Sequence, residues 1–206
     1  MLTQKVLSII FWKNLKFTLL VMLTILLSGC YSSKVNVVIS PEYKKNIHIR
    51  VAILDFDFKA GKDVSSLFYG AGSSKNAGKM IADLLTEEIM SIPGVVVVER
   101  SKLIKILEEK QLSISGLLES DKLAEVAELA GIDTLVVGSV GDASAVNILV
   151  VLQESVVAFQ ARCIRVSDGV VLWAGSIVAG AGSHNVTKTL NEAAKDFGKE
   201  LKKKLK

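Results

Sequence analysis

The sequence predicts an α/β fold: a single three-layer-like domain with a mixed sheet, in the order β-α-β-α-α-β-β-β-α. Three observations predict it. Two stretches, from Ala77 and from Leu190, carry apolar residues at the spacing of a helix with one buried face, and two shorter ones between them also read as helices. Runs rich in Val and Ile stand between them, as strands do. The last two runs flank Ser167-Asp168-Gly169, a tight turn, so the end of the sheet is an antiparallel hairpin. A length of 206 residues suits one domain, and no internal repeat is visible.

Residues 31–46 are polar around a single Pro41 and read as a short tether. The domain begins near His48, where HIRVAILDFDF alternates as a strand with Val51, Ile53 and Phe56 toward the core. A Gly- and Ser-rich loop follows over 59–75, longer than most loops. Ala77, Met80, Ile81, Leu84, Leu85 and Ile89 form the stripe of an amphipathic helix, which Pro93-Gly94 stops. VVVVER at 95–100 reads as a buried strand, and Ser101 or Lys102 opens a helix through Leu103, Ile104, Ile106 and Leu107. The next helix, 121–130, ends at Gly131, the residue best suited to a left-handed cap. DTLVVGSVG gives a third strand, ILVVL and VVAFQARCIRV continue strand-like, and VVLWAGSIV closes the hairpin. Leu190, Ala193, Ala194, Phe197, Leu201 and Leu205 make the last helix.

The first thirty residues set an address. Lys5, Lys13 and Lys16 precede an apolar run of eleven residues, 17–27, far below the roughly 20 residues of a membrane-spanning helix. The run ends in Leu27-Ser28-Gly29-Cys30, which matches the bacterial lipoprotein box at every position. Residues 1–29 therefore read as a lipoprotein signal peptide, Cys30 as the lipidated first residue, 30–47 as its tether and 48–206 as the domain. Tyr31 rather than Asp after the cysteine implies sorting to the outer membrane, with the domain facing the periplasm. Two or three acyl chains hold a protein stably where one does not.

The leader also distorts the charge. Without its three lysines the chain holds 22 basic against 21 acidic residues, so no global field recommends nucleic acid as a partner. Lys202, Lys203, Lys204 and Lys206 form the one basic concentration, which reads as a solvated helix end favoured by the helix dipole rather than a contact with anionic lipid.

Candidate chemistry fails on spacing. The stretch Gly70 to Met80 is glycine-rich and contains Gly78-Lys79, but a phosphate loop needs four residues between its outer glycines and Ser or Thr after the lysine. Gly138-Ser139-Val140-Gly141 lacks the first glycine of a nucleophile elbow, because Val137 stands there, and His48 and His184 lie in no triad context. Asp55 and Asp57 share one strand face and could chelate a hard cation, yet no third acidic ligand has motif spacing. Cys163 reads as a small core residue. The expectation is no enzyme, no cofactor and no metal.

RVAILDFDF, the glycine-bearing loop, IADLLTEEIMSIPGVVVVER, SKLIKILEEKQLSISGLLE, KLAEVAELAGIDTLVVGSVG and ARCIRVSDGVVLWAG together resemble the curli production assembly/transport family, the CsgG-like outer-membrane lipoproteins. The most specific parts are Val98-Glu99-Arg100, the pattern Glu108, Leu112, Ser115 and Gly116, and Gly131 to Gly138. The resemblance implies an α/β periplasmic domain, tethered through Cys30, that assembles with itself or with other envelope or secreted proteins, these motif residues serving structure. Its founding member forms a secretion channel for amyloid subunits. A barrel of two hairpins per subunit needs strands of roughly 9–11 residues each, and residues 141–155 with about ten more before the last helix leave little room for them. The expected function is a non-enzymatic scaffold or assembly/transport component of an envelope export machine; the alternative is a ring-forming outer-membrane secretion channel. Phe68 and Tyr69 in the long loop, with the face of Glu108 and Gln111, are the partner-contact candidates, although the two aromatics could equally close the core.

Overall fold

The computed structural model describes residues 30–44, 48–58, 72–73, 76–112, 123–149, 152–182 and 185–206. In chain order the elements are β1 (Tyr31–Ile39), β2 (Ile49–Ile53), β3 (Asp57–Phe58), β4 (Gly72–Ser73), α1 (Ala77–Met90), β5 (Val95–Val97), α2 (Arg100–Glu109), α3 (Leu123–Ala130), β6 (Thr134–Leu149), β7 (Leu152–Arg165), β8 (Val171–Ala181) and α4 (Val186–Leu205). They build one open mixed sheet in the order β1-β8-β7-β6-β2-β5, with β3 and β4 lying along β6. The α/β class with a mixed sheet is as the sequence predicts.

β6 is the hinge of the topology. On one side it runs parallel to β2, which is parallel to β5. On the other side β6, β7, β8 and β1 are antiparallel throughout. The βα connections through α1 and through α2 and α3 produce the parallel half; in the antiparallel half a short turn joins β7 to β8, and β1 pairs with β8 from far away in the chain. The turn after β7 has Gly169 at φ +74°, and the Arg165 guanidinium donates to both Asp168 carboxylate oxygens at 2.7–3.0 Å.

Two expectations are corrected here. Most of the stretch read as a tether is an edge strand, β1, paired to β8 from Tyr31 opposite Ala181 to Ile39 opposite Trp173. Its physical basis is a period of two: Val37 is 4% exposed and its neighbour Val38 62%. The polar residues Ser32, Lys34 and Asn36 occupy the outward positions and mask the pattern. The strand after α3 likewise does not stop near Gly141 but runs 16 residues to Leu149. A register shift between Val140 and Asp142 places an extra residue there, a bulge that lets the strand bend and continue.

Two cores result. One lies between α1, α4 and the whole sheet, and includes Ile53, Ile81, Leu85, Phe159, Trp173 and Phe197. The other lies between α2, α3 and the opposite face, and includes Leu54, Leu103, Leu107, Val126 and Leu135. Three layers therefore cover the parallel half, whereas the outer face of β1, β8 and β7 carries exposed side chains.

Candidate functional site

Among the described residues no helix lies on that outer face, which is built by strand register. Val38, Ala174 and Arg162 stand in one row, Asn36, Ser176 and Gln160 in the next, and Lys34, Val178 and Ala158 in a third. Six of these nine side chains are small or medium in size and three, Lys34, Gln160 and Arg162, are long and polar, as on the solvated face of an antiparallel sheet. Where this face meets the end of β2 lies an open cleft of about 530 Å³, floored by Gly138, Ser139 and Ala161 and walled by Asp55 and Asp57. Gln160 Nε2 donates to Ser139 Oγ at 2.9 Å, tying β6 to β7 on the cleft floor. Ser139 thus has an amide partner rather than a base. Among the described residues no group of three or more His, Cys, Asp or Glu is placed to hold a metal ion.

Asp55 is engaged by Arg100. The guanidinium donates to Asp55 through Nη1 and to Asp83 through Nη2, joining the end of β2, α1 and the start of α2. Partial burial pushes the Asp83 carboxyl up, but hydrogen bonds from Lys79 and Arg100 and their charges outweigh it and hold the carboxyl below its ordinary value. Lys79, the lysine that suggested a phosphate loop, donates to Asp83 at 3.0 Å. Gly78 beside it serves packing: a Cβ there would lie 1.9 Å from the Phe56 carbonyl oxygen. Glu99 is exposed and precedes α2 without a side-chain cap.

A second polar cluster fixes β1. Tyr31 Oη and Ser33 Oγ both donate to Asp196 Oδ2 on α4, at 3.1 and 2.7 Å. Partial burial pushes the Asp196 carboxyl up, and the hydrogen bonds from Ser33 and Tyr31, with Lys199 nearby, more than offset it, so the net direction is down. Burial pushes the Tyr31 phenol up to about 12. Sequence reasoning missed this clasp; the alternation of Tyr31, Ser33, Val35 and Val37 was the available signal.

The remaining candidates fall in separate places. Glu108 and Gln111 are exposed at the end of α2, where Gln111 takes φ +54° and Leu112 N donates to Leu107 O at 2.9 Å. Gly131 ends α3 at φ +68°, with Ile132 N donating to Ala127 O and Gly131 N to Glu128 O, both at 3.0 Å, a Schellman cap. Gly138 sits inside β6, not at a strand end, where a Cβ would come within 2.3 Å of both the Gln160 carbonyl oxygen and the Phe56 ring. Cys163 is buried, and burial pushes its thiol up to about 12, far from a nucleophilic thiolate. Leu27, Ser28, Gly29, Phe68, Tyr69, Ser115, Gly116 and His184 lie outside the described residues.

Cys30 is exposed and directly precedes β1, and its carbonyl accepts from Gly182 N at 3.4 Å. It therefore sits at one end of the sheet. The β6–β7 hairpin extends past that same end, since Leu149 faces Leu152 beyond the row of Ala145, Ser155, Ala181 and Tyr31. The four C-terminal lysines sit at the other end, where Leu205 packs beside Tyr43 and Ile49. Among the described residues no helix is long and apolar enough to cross a membrane.

Comparison with known proteins adds the following. Residues 32–143 match the family described as curli production assembly/transport component CsgG. Among solved structures, the PelC dodecamer from Paraburkholderia phytofirmans has a TM-score of 0.51 at 12% identity, over 81% of this chain and 94% of that one. The lipoprotein GNA1162 from Neisseria meningitidis has a TM-score of 0.48 at 13% identity, over 66% and 84%. The LpoB C-terminal domain from Salmonella enterica has 0.43 at 14%, over 64% and 82%. No curated protein matches the chain in sequence.

Proposed function

This chain belongs to the CsgG family of curli production assembly/transport components, and on that premise we propose that it is a non-enzymatic outer-membrane lipoprotein acting as an assembly component of an envelope export machine. Its domain faces the periplasm and is held by acyl chains on Cys30. The half-covered sheet carries this reading. An exposed sheet face on which short side chains stand among Lys34, Gln160 and Arg162, bordered by a nine-residue edge strand, is a surface on which another protein can lie. The partners we assign to it are further copies of this chain, the Paraburkholderia protein of similar fold being a dodecamer, together with envelope or secreted proteins. The near-neutral balance of the chain beyond its leader gives nucleic acid no foothold.

The alternative is a secretion channel. It is favoured by the end of the β6–β7 hairpin, where residues 143–153 carry no charge. A strand crossing a bilayer needs roughly 9–11 residues, whereas Leu152 stands three residues past Ser155, the last β7 residue paired to β8. A channel therefore demands that β6, β7 and β8 be rebuilt.

Light scattering and negative-stain imaging of the lipidated protein in mild detergent, with conductance in a planar bilayer, test both. The expected result is a closed ring of copies that passes no ions. A monomer overturns the self-assembly, steady conductance overturns the scaffold in favour of the channel, and turnover of a nucleotide or ester by the purified protein overturns the non-enzymatic assignment.

A further inference from the structure

We infer that the cleft on the outer face of the sheet is a binding site for a short zwitterionic peptide, three to four residues long, lying across the strands. The inference stands on strand register and on two charges that the fold leaves without partners, and it is independent of the lipid anchor and of self-assembly. Asn36, Ser176, Gln160, Ser139 and Asp57 occupy one row across β1, β8, β7, β6 and β3. All five line the cleft of about 530 Å³. A file of amide, hydroxyl and carboxylate groups therefore crosses the sheet at right angles to its strands, ~19 Å long at the spacing of neighbouring strands.

The next row holds Val38, Ala174, Arg162 and Val137. Gly138 and Gly175 lie between the two rows, and a Cβ on either would point to the core, against Phe56 or Phe197. The floor at that level is bare backbone, which a ligand can approach closely.

Two opposite charges face this trough unpaired. Of the two cleft carboxylates, Asp55 is held by Arg100, whereas Asp57 has no partner among the described residues. Arg100 and Arg165 each meet two carboxylates, and Arg162 meets none. Asp57 and Arg162 do not neutralise each other because two strand spacings and two residues separate them, which puts their backbones about 12 Å apart.

That separation selects the ligand. A free amino acid or an ethanolamine headgroup carries its two charges on neighbouring groups and reaches one partner at a time, and a neutral sugar uses neither. An extended peptide spans about 3.3–3.6 Å per residue, so three to four residues set the terminal ammonium on Asp57 and the terminal carboxylate on Arg162. Its amide groups then pass Ser139 and Gln160, where Gln160 Nε2 already donates to Ser139 Oγ and Oε1 is left to accept.

The test is calorimetric titration of the full-length protein in mild detergent with trialanine, beside N-acetyl-trialanine, trialanine amide, the doubly capped peptide, free alanine and maltotriose. Trialanine is expected to bind, and capping both ends to weaken binding at least about tenfold, as loss of two charge-assisted hydrogen bonds requires. Asp57→Asn is expected to abolish the penalty for N-acetylation and keep that for the amide, and Arg162→Gln the reverse. Such a crossed pattern does not arise from damage to the fold. Lys203→Gln, an exposed charge on α4, is expected to change nothing. No binding of trialanine at millimolar concentration overturns the site. Equal affinity for capped and uncapped peptide, or alanine binding as tightly as trialanine, overturns the reading by two separated charges. Maltotriose binding that survives both substitutions overturns the peptide in favour of a sugar. The capped peptides are read on the parent protein, so the outcome does not hang on the variants folding.

Discussion

Gly78 shows how one missing side chain sets the approach of a helix to a sheet. Inside a helix Gly→Ala gains up to about 1 kcal/mol of propensity, and Gly78, the second residue of α1, stands to gain less than that. Here the added carbon would lie 1.9 Å from the Phe56 carbonyl oxygen, a backbone atom that cannot swing aside. Overpacking costs about 1–3 kcal/mol or more, so the clash wins. Gly78→Ala is expected to lower stability by about 2 kcal/mol in chemical denaturation. Gly180→Ala is the control, because its Cβ would meet the Ser155 carbonyl oxygen at 3.9 Å, an ordinary contact, and the substitution is expected to be neutral or stabilising by up to about 1 kcal/mol. Equal effects at both positions would remove the steric account. The residue pair Gly78-Lys79 was visible in the sequence, but its meaning was not. Phe56 reaches it through the fold, and local spacing could only show that a phosphate loop was not there. Arg100 is similar: the Val98-Glu99-Arg100 motif was legible, while its partners Asp55 and Asp83 come from other elements.

At the scale of elements, β1 is the piece that sequence alone did not yield. Four of its first six residues are polar, and the alternation that marks a half-buried strand reads clearly only at Val35, Val37 and Ile39. The helices were legible because each buries a wide apolar stripe, as in α4 with Leu190, Phe197 and Leu201. What holds β1 besides its ladder is the clasp of Tyr31 and Ser33 on Asp196. The folded Asp196 carboxyl lies below its unfolded value near about 3.9, so its contribution is present above that pH and is lost as pH falls through the folded value. Asp196→Asn is accordingly expected to lower the Tm at neutral pH and to flatten its fall between about pH 4 and 2. A variant whose acid limb superimposes on the parent, offset by a constant, would show that the clasp does not titrate. The phenol of Tyr31 acts at the other limit: its folded value of about 12 makes its share fall as pH rises from about 10 to 12.

The whole molecule is two cores on one sheet, and β6 belongs to both, with Val136 facing α1 and α4 and Leu135 facing α2 and α3. A strand shared in this way couples the halves, since neither core survives its removal. Unfolding of residues 30–206 in urea is therefore expected to be one transition, with Trp173 emission, which reports the antiparallel half, and helical circular dichroism coinciding. Separate midpoints would mean that the parallel and antiparallel halves melt independently. The class of the fold and its mixed sheet could be read from the order of periodic segments. The face that no described helix covers could not, because a solvated strand face and one awaiting a neighbour share the same alternation of residues, and register alone brings Asn36, Ser176 and Gln160 into one row.

β1 begins one residue after Cys30, and this governs reach. A free segment of 16 residues would let a domain roam up to about 50 Å from its lipid. With the first nine of those residues committed to the sheet as β1, directly after Cys30, an acylated Cys30 leaves no leash at all. The domain would ride flush against its bilayer, travelling where the lipid travels, and any partner deeper in the envelope would have to come to it.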